Sequence, residues 1–400
     1  MSERPRVIYL DNNATTQVDP RVAQAMWPYY CEKFGNPGSR HHVFGREAEA
    51  AVEQARAQVA QLLNASPREI VFTSGATECN NLALKGVAAM HRLRGNHLIS
   101  CVTEHHAVLD PLKRLEREGF RVTLLPVDRE GYIDLGQLDA AISDQTILVS
   151  LMAANNEVGT LHPLKEIGAL CKRRGVLFHT DAAQAAGRLP LDVEALGLDL
   201  VSISGHKMYG PKGIGALFIR RRSPQVRLEP LLEGGGQERG VRSGTLNVPG
   251  IVGLGLACEL AGQTMAEEAA RLEPLVNHLR SGLINSLEGV SLNGPREPRL
   301  PGNLNLSFAW VSGEALLMSL KGVALSAGSA CTSANPEPSY VLRALGVPND
   351  LAQASLRFGL GRFTTREEVD MVLDDVRRVV EQLRKLSPAY HLHRHQPVCS

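Results

Sequence analysis

The chain has 400 residues, 44% of them hydrophobic and 21% charged, with 43 Lys+Arg against 42 Asp+Glu. That length exceeds a single small core and suits two domains. The even charge balance excludes a general attraction to nucleic acid or to an anionic membrane. No run of about 18 apolar residues occurs, so no spanning helix and no membrane association is expected. The opening Met1-Ser2-Glu3-Arg4-Pro5 lacks the apolar core of a signal peptide, so the expected location is cytoplasmic. The 7 cysteines are odd in number, widely spaced and without a C-x-x-C, which argues against a disulfide framework or a zinc ribbon.

Between about residues 69 and 220, short apolar runs alternate with longer mixed segments. This predicts an α/β fold with a mostly parallel sheet covered on both faces. In such sheets ligands sit outside the carboxyl ends of the strands. The first predicted strand, Ile70–Thr73, leads into Ser74-Gly75-Ala76-Thr77-Glu78 and a helix over Thr77–His91. Small residues before a helix start leave free backbone N–H groups and a positive dipole end, which suit a phosphate. The stretch is not a G-x-x-x-x-G-K-[ST] loop, so it does not point to an ATPase.

The next strand, His97–Val102, is followed by Thr103-Glu104-His105-His106. An imidazole there can lie over a flat ring and move protons near neutral pH; either histidine could instead be a surface residue at the start of the helix near Ala107–Glu118. Strands at Arg121–Val127 and Thr146–Met152 and helices at Asp134–Ile142 and Pro163–Arg174 come next.

The Val176–Thr180 strand runs into Asp181 and then Ala182-Ala183-Gln184. The Leu200–Ser204 strand runs into Gly205-His206-Lys207. A lysine past a strand end can form a Schiff base with a carbonyl cofactor. Pyridoxal phosphate (PLP) needs an anion beside its pyridine nitrogen, a role Asp181 can fill, with Gln184 in reach of the ring oxygen. Plain alternatives stand beside each reading: a helix cap for Asp181, a turn for Lys207, and competition from Lys212 in the same loop. Ser204 and His206 add donors for a phosphate.

Residues 239–262 are Gly-rich and then helical, and a long helix is predicted at Met265–Leu287. Strand-like segments at Asn303–Phe308 and Val323–Ser326 and a final helix at Arg366–Leu386 suggest a second, smaller α+β domain. Within it, Ser326-Ala-Gly-Ser-Ala-Cys331-Thr-Ser-Ala-Asn335 places a cysteine among small polar residues. Such a thiol can be an accessible nucleophile or a packed turn residue. Arg357 lies in a short apolar segment and needs an anion, either a substrate carboxylate or an internal acid. The tail after Ser387 has no periodicity and is read as mobile. The expected division is 15–262 for the large domain, 1–14 with 263–387 for the small one, and 388–400 for the tail.

Taken together, these segments resemble the cysteine desulfurases of the iron–sulfur and nitrogen-fixation type. The resemblance rests on Tyr9-Leu-Asp-Asn-Asn-Ala-Thr-Thr16, Thr73-Ser-Gly-Ala-Thr-Glu78, Thr103-Glu-His105, Asn155-Asn-Glu-Val-Gly159, His179-Thr-Asp-Ala-Ala-Gln184, Ser204-Gly-His-Lys207, Arg242-Ser-Gly-Thr245, Gly328-Ser-Ala-Cys331-Thr-Ser333 and Arg357-Phe358. Many short motifs in one order are more specific than any single motif. The family implies a fold-type I PLP enzyme with a seven-stranded sheet, working as a homodimer on L-cysteine. Carried onto this chain, it implies that Lys207 holds PLP and Asp181 faces the pyridine nitrogen. It places Gln184 near the ring oxygen and His105, not His106, over the ring. Ala76, Thr77, Ser204 and His206 hold the phosphate, with Thr245 supplied across the dimer. Asn156 and Arg357 bind the substrate carboxylate, and Asn156 also touches the cofactor. Cys331 takes the sulfur as a persulfide, through which it can also be a transient iron–sulfur ligand, and passes it to a scaffold or other acceptor protein. A selenocysteine lyase or an aminotransferase of the same fold is the alternative; an aminotransferase has no need of the Cys331 thiol. The ending Tyr390-His-Leu-His-Arg-His-Gln-Pro-Val-Cys-Ser departs from the longer acidic–aromatic tail of the housekeeping members.

Overall fold

The structure, a computed structural model, describes residues 7–222, 225–327 and 338–395. Its centre is a seven-stranded sheet in the order Ile70–Thr73, Gly215–Ile219, Leu200–Ser204, Leu177–Asp181, Thr146–Ser150, His97–Cys101, Arg121–Leu125. All neighbours pair in parallel except Gly215–Ile219, which runs antiparallel to the strands on both sides. The strands alternate between two cores, as period-2 geometry requires. Phe72, Ile99, Val149, Phe178, Val201 and Phe218 face one core, and Val71, Leu98, Leu148, Leu177, Leu200 and Leu217 face the other. Burial on both faces explains why these strands read as unbroken apolar runs.

Helices Ala76–His91, His106–Arg117, Leu135–Ala141 and Leu164–Arg174 return the chain between strands, close to their expected limits. The sequence reading differs at residues 239–287. The structure makes one helix of Val248–Ser286, where a Gly-rich stretch turning helical over 239–262 and a separate helix from Met265 are expected. The glycines serve packing: a Cβ on Gly255 would lie 2.6 Å from Ala55 Cα in the Val43–Leu62 helix. The second half of this helix belongs to another core. There Leu272, Leu279 and Leu283 pack with Leu304, Phe308, Phe358, Val372 and Val376. That core lies on a four-stranded antiparallel sheet ordered Ser326–Ala327, Ser355–Gly359, Asn303–Phe308, Val290–Leu292. Near the start of the chain, Ile8–Tyr9 pairs in parallel with Val323–Ala324, and Ile8 and Leu10 enter the same core.

Beyond Ser387 the structure places a helix, Pro388–His395, where the sequence shows no periodicity. Tertiary contact accounts for it: the His393 ring stacks on Trp310 at 4.1 Å between centroids, and its Nε2 lies 2.9 Å from Glu288 Oε1.

One buried ion pair holds the Ile70–Thr73 strand that leads into the Ser74-Gly75 turn. Arg56 grips Glu238 with two hydrogen bonds of 2.7 and 2.8 Å, and both residues are buried. Glu238 also accepts from the Phe72 amide at 2.8 Å, and Arg56 donates to the Ile70 carbonyl at 3.0 Å. Removing Glu238 leaves the buried Arg56 guanidinium with only the exposed Glu53 as its acid, 3.0 Å from Nε. Glu238→Ala is therefore expected to cost about 3–5 kcal/mol of stability in chemical denaturation. Cutting the exposed Arg40–Glu49 pair with Glu49→Ala should cost under about 0.5 kcal/mol. Equal losses for the two variants would contradict this account.

Candidate active site

The carboxyl ends of Ile70–Thr73, His97–Cys101, Leu177–Asp181 and Leu200–Ser204 open onto one cavity of about 590 Å³. Its wall brings together Ala76, Thr77, His105, Asn156, Asp181, Gln184, Ser204, His206, Lys207 and Arg357. Thr245 is exposed and is not part of this wall, and Cys331 lies outside the described residues.

At the first strand end, Gly75 takes the N-cap position of the Ala76–His91 helix with φ of 151°, a conformation that favours glycine, and no side chain caps this end. A Cβ on Gly215 would lie 2.7 Å from Gly75 Cα, so two glycines let this turn approach the sheet. The helix N-terminus thus faces the cavity with its first-turn amides uncapped by any side chain, the arrangement that binds a phosphate.

His105 caps the next helix: its Nδ1 accepts from the Ala107 amide at 3.0 Å. In the neutral ring the proton then sits on Nε2. Burial lowers the pKa of His105, against the opposing pull of Asp181. His106 instead meets the Tyr340 ring at 4.9 Å and Asp110 at 3.5 Å.

The Asp181 carboxylate is held by two donors, the Asn80 amide nitrogen at 2.6 Å and the Ala183 backbone N–H at 2.9 Å. Gln184 is clasped by Asn13: Asn13 Nδ2 donates to Gln184 Oε1 at 3.1 Å, and Gln184 Nε2 donates to the Asn13 carbonyl at 2.8 Å. Lys207 points its amine at two main-chain carbonyls, Asn13 at 2.6 Å and Ala14 at 2.7 Å. Burial, helped by the charges of Arg357 and Arg188, pulls its pKa down to about 8. Lys212 reaches the cavity as an exposed residue. His206 meets the Thr15 hydroxyl at 3.1 Å, and its carbonyl accepts from Thr16 N and Oγ1.

Arg357 finds the internal acid that its sequence context left open. Its Nη2 donates to Asp11 Oδ1 at 2.9 Å, and its Nη1 to the Asn156 carbonyl at 3.2 Å. Two buried atoms on this wall have no protein partner, Arg357 Nε and Asn13 Oδ1. A buried donor left unpaired is costly, so such a wall suits a polar occupant. The uncapped helix end, the amine of lowered pKa, the held carboxylate and these unpaired atoms together fit a phosphorylated pyridine aldehyde.

Comparison with known proteins gives the family. The family model described as Aminotransferase class-V matches residues 8–372. A cysteine desulfurase IscS of Anaeromyxobacter sp. (strain Fw109-5) is 57% identical, with 96% of this chain and 95% of that protein covered. The mouse cysteine desulfurase is 57% identical over 97% of this chain and 84% of its own length. A solved structure described as a NifS-like protein superposes with a TM-score of 0.88 at 42% identity, covering 94% of this chain and all of that one (100%).

The chain belongs to the class-V aminotransferases, among the cysteine desulfurases.

In this cysteine desulfurase the sequence reading gave no role to the residues that hold the others, although Asp11, Asn13 and Ala14 lie in the Tyr9–Thr16 segment that carries the resemblance. Asp11, Asn13, Ala14 and Asn80 touch Arg357, Gln184, Lys207 and Asp181, and nothing in their own surroundings marks them except the polar run Asp11–Thr16. Glu104 was likewise unread. It is fully buried, its Oε1 accepts from the Met152 amide at 2.6 Å, and burial raises its pKa well above the usual carboxyl range. Four other cysteines are sealed in the cores: Cys79, Cys171 and Cys258 are pushed up to about 12 by burial, and Cys101 is raised as well.

Lys207 should titrate early. In cofactor-free protein, acylation of its amine followed by peptide mass should show a midpoint near pH 8, with the nucleophile present above and lost below. A midpoint at the ordinary 10.5 would contradict the burial argument.

Proposed function

We propose that this protein is a PLP-dependent desulfurase that converts L-cysteine to L-alanine. Its sulfur leaves as a persulfide on Cys331 and passes to a scaffold or other acceptor protein for iron–sulfur cluster assembly. The observation that carries this reading is the convergence of Lys207, with its pKa near 8, Asp181 and Arg357 in one cavity at the strand ends.

The uncapped N-terminus at Ala76 and Thr77, with Ser204 and His206, would hold the cofactor phosphate, joined by Thr245 of the partner subunit. The exposure of Thr245 on this chain supports use across a dimer. Asp181 would face the pyridine nitrogen, and Gln184 the ring oxygen. Bound PLP supplies an electron sink for the charge that develops at the substrate Cα.

Arg357, with its unpaired Nε, and Asn156 orient the substrate carboxylate. The Lys207 amine removes the Cα proton; a pKa near 8 suits a base that must both take and return a proton near neutrality. His105, with Nδ1 committed to the Ala107 amide, moves thiol protons through Nε2. The Cys331 thiolate attacks the substrate sulfur. One S–S bond forms as the C–S bond breaks, and the electron pair stays with the carbon fragment, which takes up a proton and departs as L-alanine.

We take residues 15–262 as the PLP-binding unit and 1–14 with 263–387 as the unit that carries Cys331; the separate core around Leu304 and Phe358 supports this division. Among the described residues no helix is long and apolar enough to cross a membrane, and no cluster of three or more His, Cys, Asp or Glu could hold a metal. Iron reaching the Cys331 persulfide would be cargo. A cytoplasmic homodimer completes the proposal. Selenocysteine is not favoured as the primary substrate, because the matching relatives are named cysteine desulfurases.

A single turnover with L-cysteine, without reductant, tests the reading. Wild type should release alanine and gain one sulfur by intact mass. Cys331→Ala should bind L-cysteine but lose persulfide formation by at least about 100-fold, the scale set by removing a catalytic nucleophile. Equal persulfide on both proteins would remove Cys331 from its role.

A further inference from the structure

We propose that Asp11 is a positioning residue for the substrate carboxylate, holding the Arg357 guanidinium in one orientation at the cavity wall. The proposal rests on the desulfurase reading above. Asp11, Arg357 and Ser326 close a triangle of hydrogen bonds. Arg357 Nη2 donates to Asp11 Oδ1 at 2.9 Å and to Ser326 Oγ at 3.0 Å, and the Ser326 hydroxyl donates to Asp11 Oδ1 at 2.8 Å. Arg357 Nη1 is pinned on the Asn156 carbonyl at 3.2 Å, so both ends of the fork are fixed.

Asp11 is itself rigidly placed. It bridges to Gly359 in parallel, the Asn12 amide donates to the Gly359 carbonyl at 3.1 Å, and the Gly359 amide donates to the Leu10 carbonyl at 2.6 Å. Ser326 is held by strand register opposite Arg357. The donor that this arrangement leaves unpaired is the buried Arg357 Nε. An incoming carboxylate therefore meets a guanidinium that is already oriented, and hydrogen-bond strength falls steeply once the donor angle is lost.

Two opposing effects follow from removing the Asp11 charge. Arg357 would attract an anion more strongly, yet its fork would be free to turn away. Solvent reaching an open cavity weakens the first effect. The second removes a charge-assisted contact and its geometry, so the second dominates.

The test uses PLP-loaded full-length protein, with Asp11→Asn and Ser326→Ala compared with wild type. The KM for L-cysteine should rise about tenfold in Asp11→Asn, equivalent to ~1.4 kcal/mol. It should rise about threefold in Ser326→Ala, which removes a neutral link only. Both variants should keep kcat within about threefold, because the carboxylate contact serves ground and transition states alike. Cysteamine, which lacks the carboxylate, should bind all three proteins equally, as read from the change in cofactor absorption on mixing. An unchanged or lower KM for L-cysteine in Asp11→Asn overturns the proposal. So does equal weakening toward cysteamine, which marks general damage to the site. If wild type binds L-cysteine but releases no alanine, the desulfurase reading fails, and the binding comparison between L-cysteine and cysteamine still decides the role of Asp11.

Discussion

The short polar segment Asp11–Thr16 is the tie on which the site depends. It leaves the core of the second sheet at Leu10 and crosses to the carboxyl edge of the large one. On the way Asp11 fixes Arg357, Asn12 takes the Arg188 guanidinium on its carbonyl, and Asn13 clasps Gln184. Asn13 and Ala14 receive the Lys207 amine, and Thr16 holds the backbone of His206 and Tyr209. Gln184, Lys207, His206 and Arg357 are thus referred to one stretch of main chain. Main-chain carbonyls and short amides lose little conformational freedom, which makes them good supports for longer side chains that must hold one geometry.

Charge is distributed accordingly. The titratable groups buried around the parallel strands are shifted toward their neutral forms. His179, between the hydroxyls of Ser150 and Ser202, is pushed down to about 3, His97 to about 4, and Glu104 is raised, in each case chiefly by burial. Charged groups gather at the strand ends instead: Asp181 with neutral donors, Arg357 with Asp11, and Lys207 between opposing fields. Charges gathered at the strand ends focus the field where a ligand enters.

Much of this was legible in the sequence because each principal group stands at the end of a strand. Local patterning put Lys207, Asp181 and the His105–His106 pair at strand ends with plain alternatives open for each, and their roles, with the choice of His105 over His106, took the family resemblance. The supports were not legible. Lys207 and Asn13 are 194 residues apart, Arg357 and Asp11 346, and Asp181 and Asn80 101, so no local window holds both members of a pair. At Val248–Ser286 the sequence reading divides one continuous helix into a helical stretch before 262 and a separate helix from Met265. Gly253 and Gly255 admit Met26 and Ala55 into close contact, and packing outweighs the modest penalty of glycine in a helix. At the tail, Trp310 and Glu288 supply through contact the order that periodicity lacks.

The central claim is that Lys207 is the residue that bonds the cofactor. Borohydride reduction of the PLP-loaded protein, followed by peptide mapping, tests it most directly. The account predicts a single pyridoxyl adduct on Lys207. An adduct on Lys212, or none on either lysine in protein that retains PLP, would contradict it.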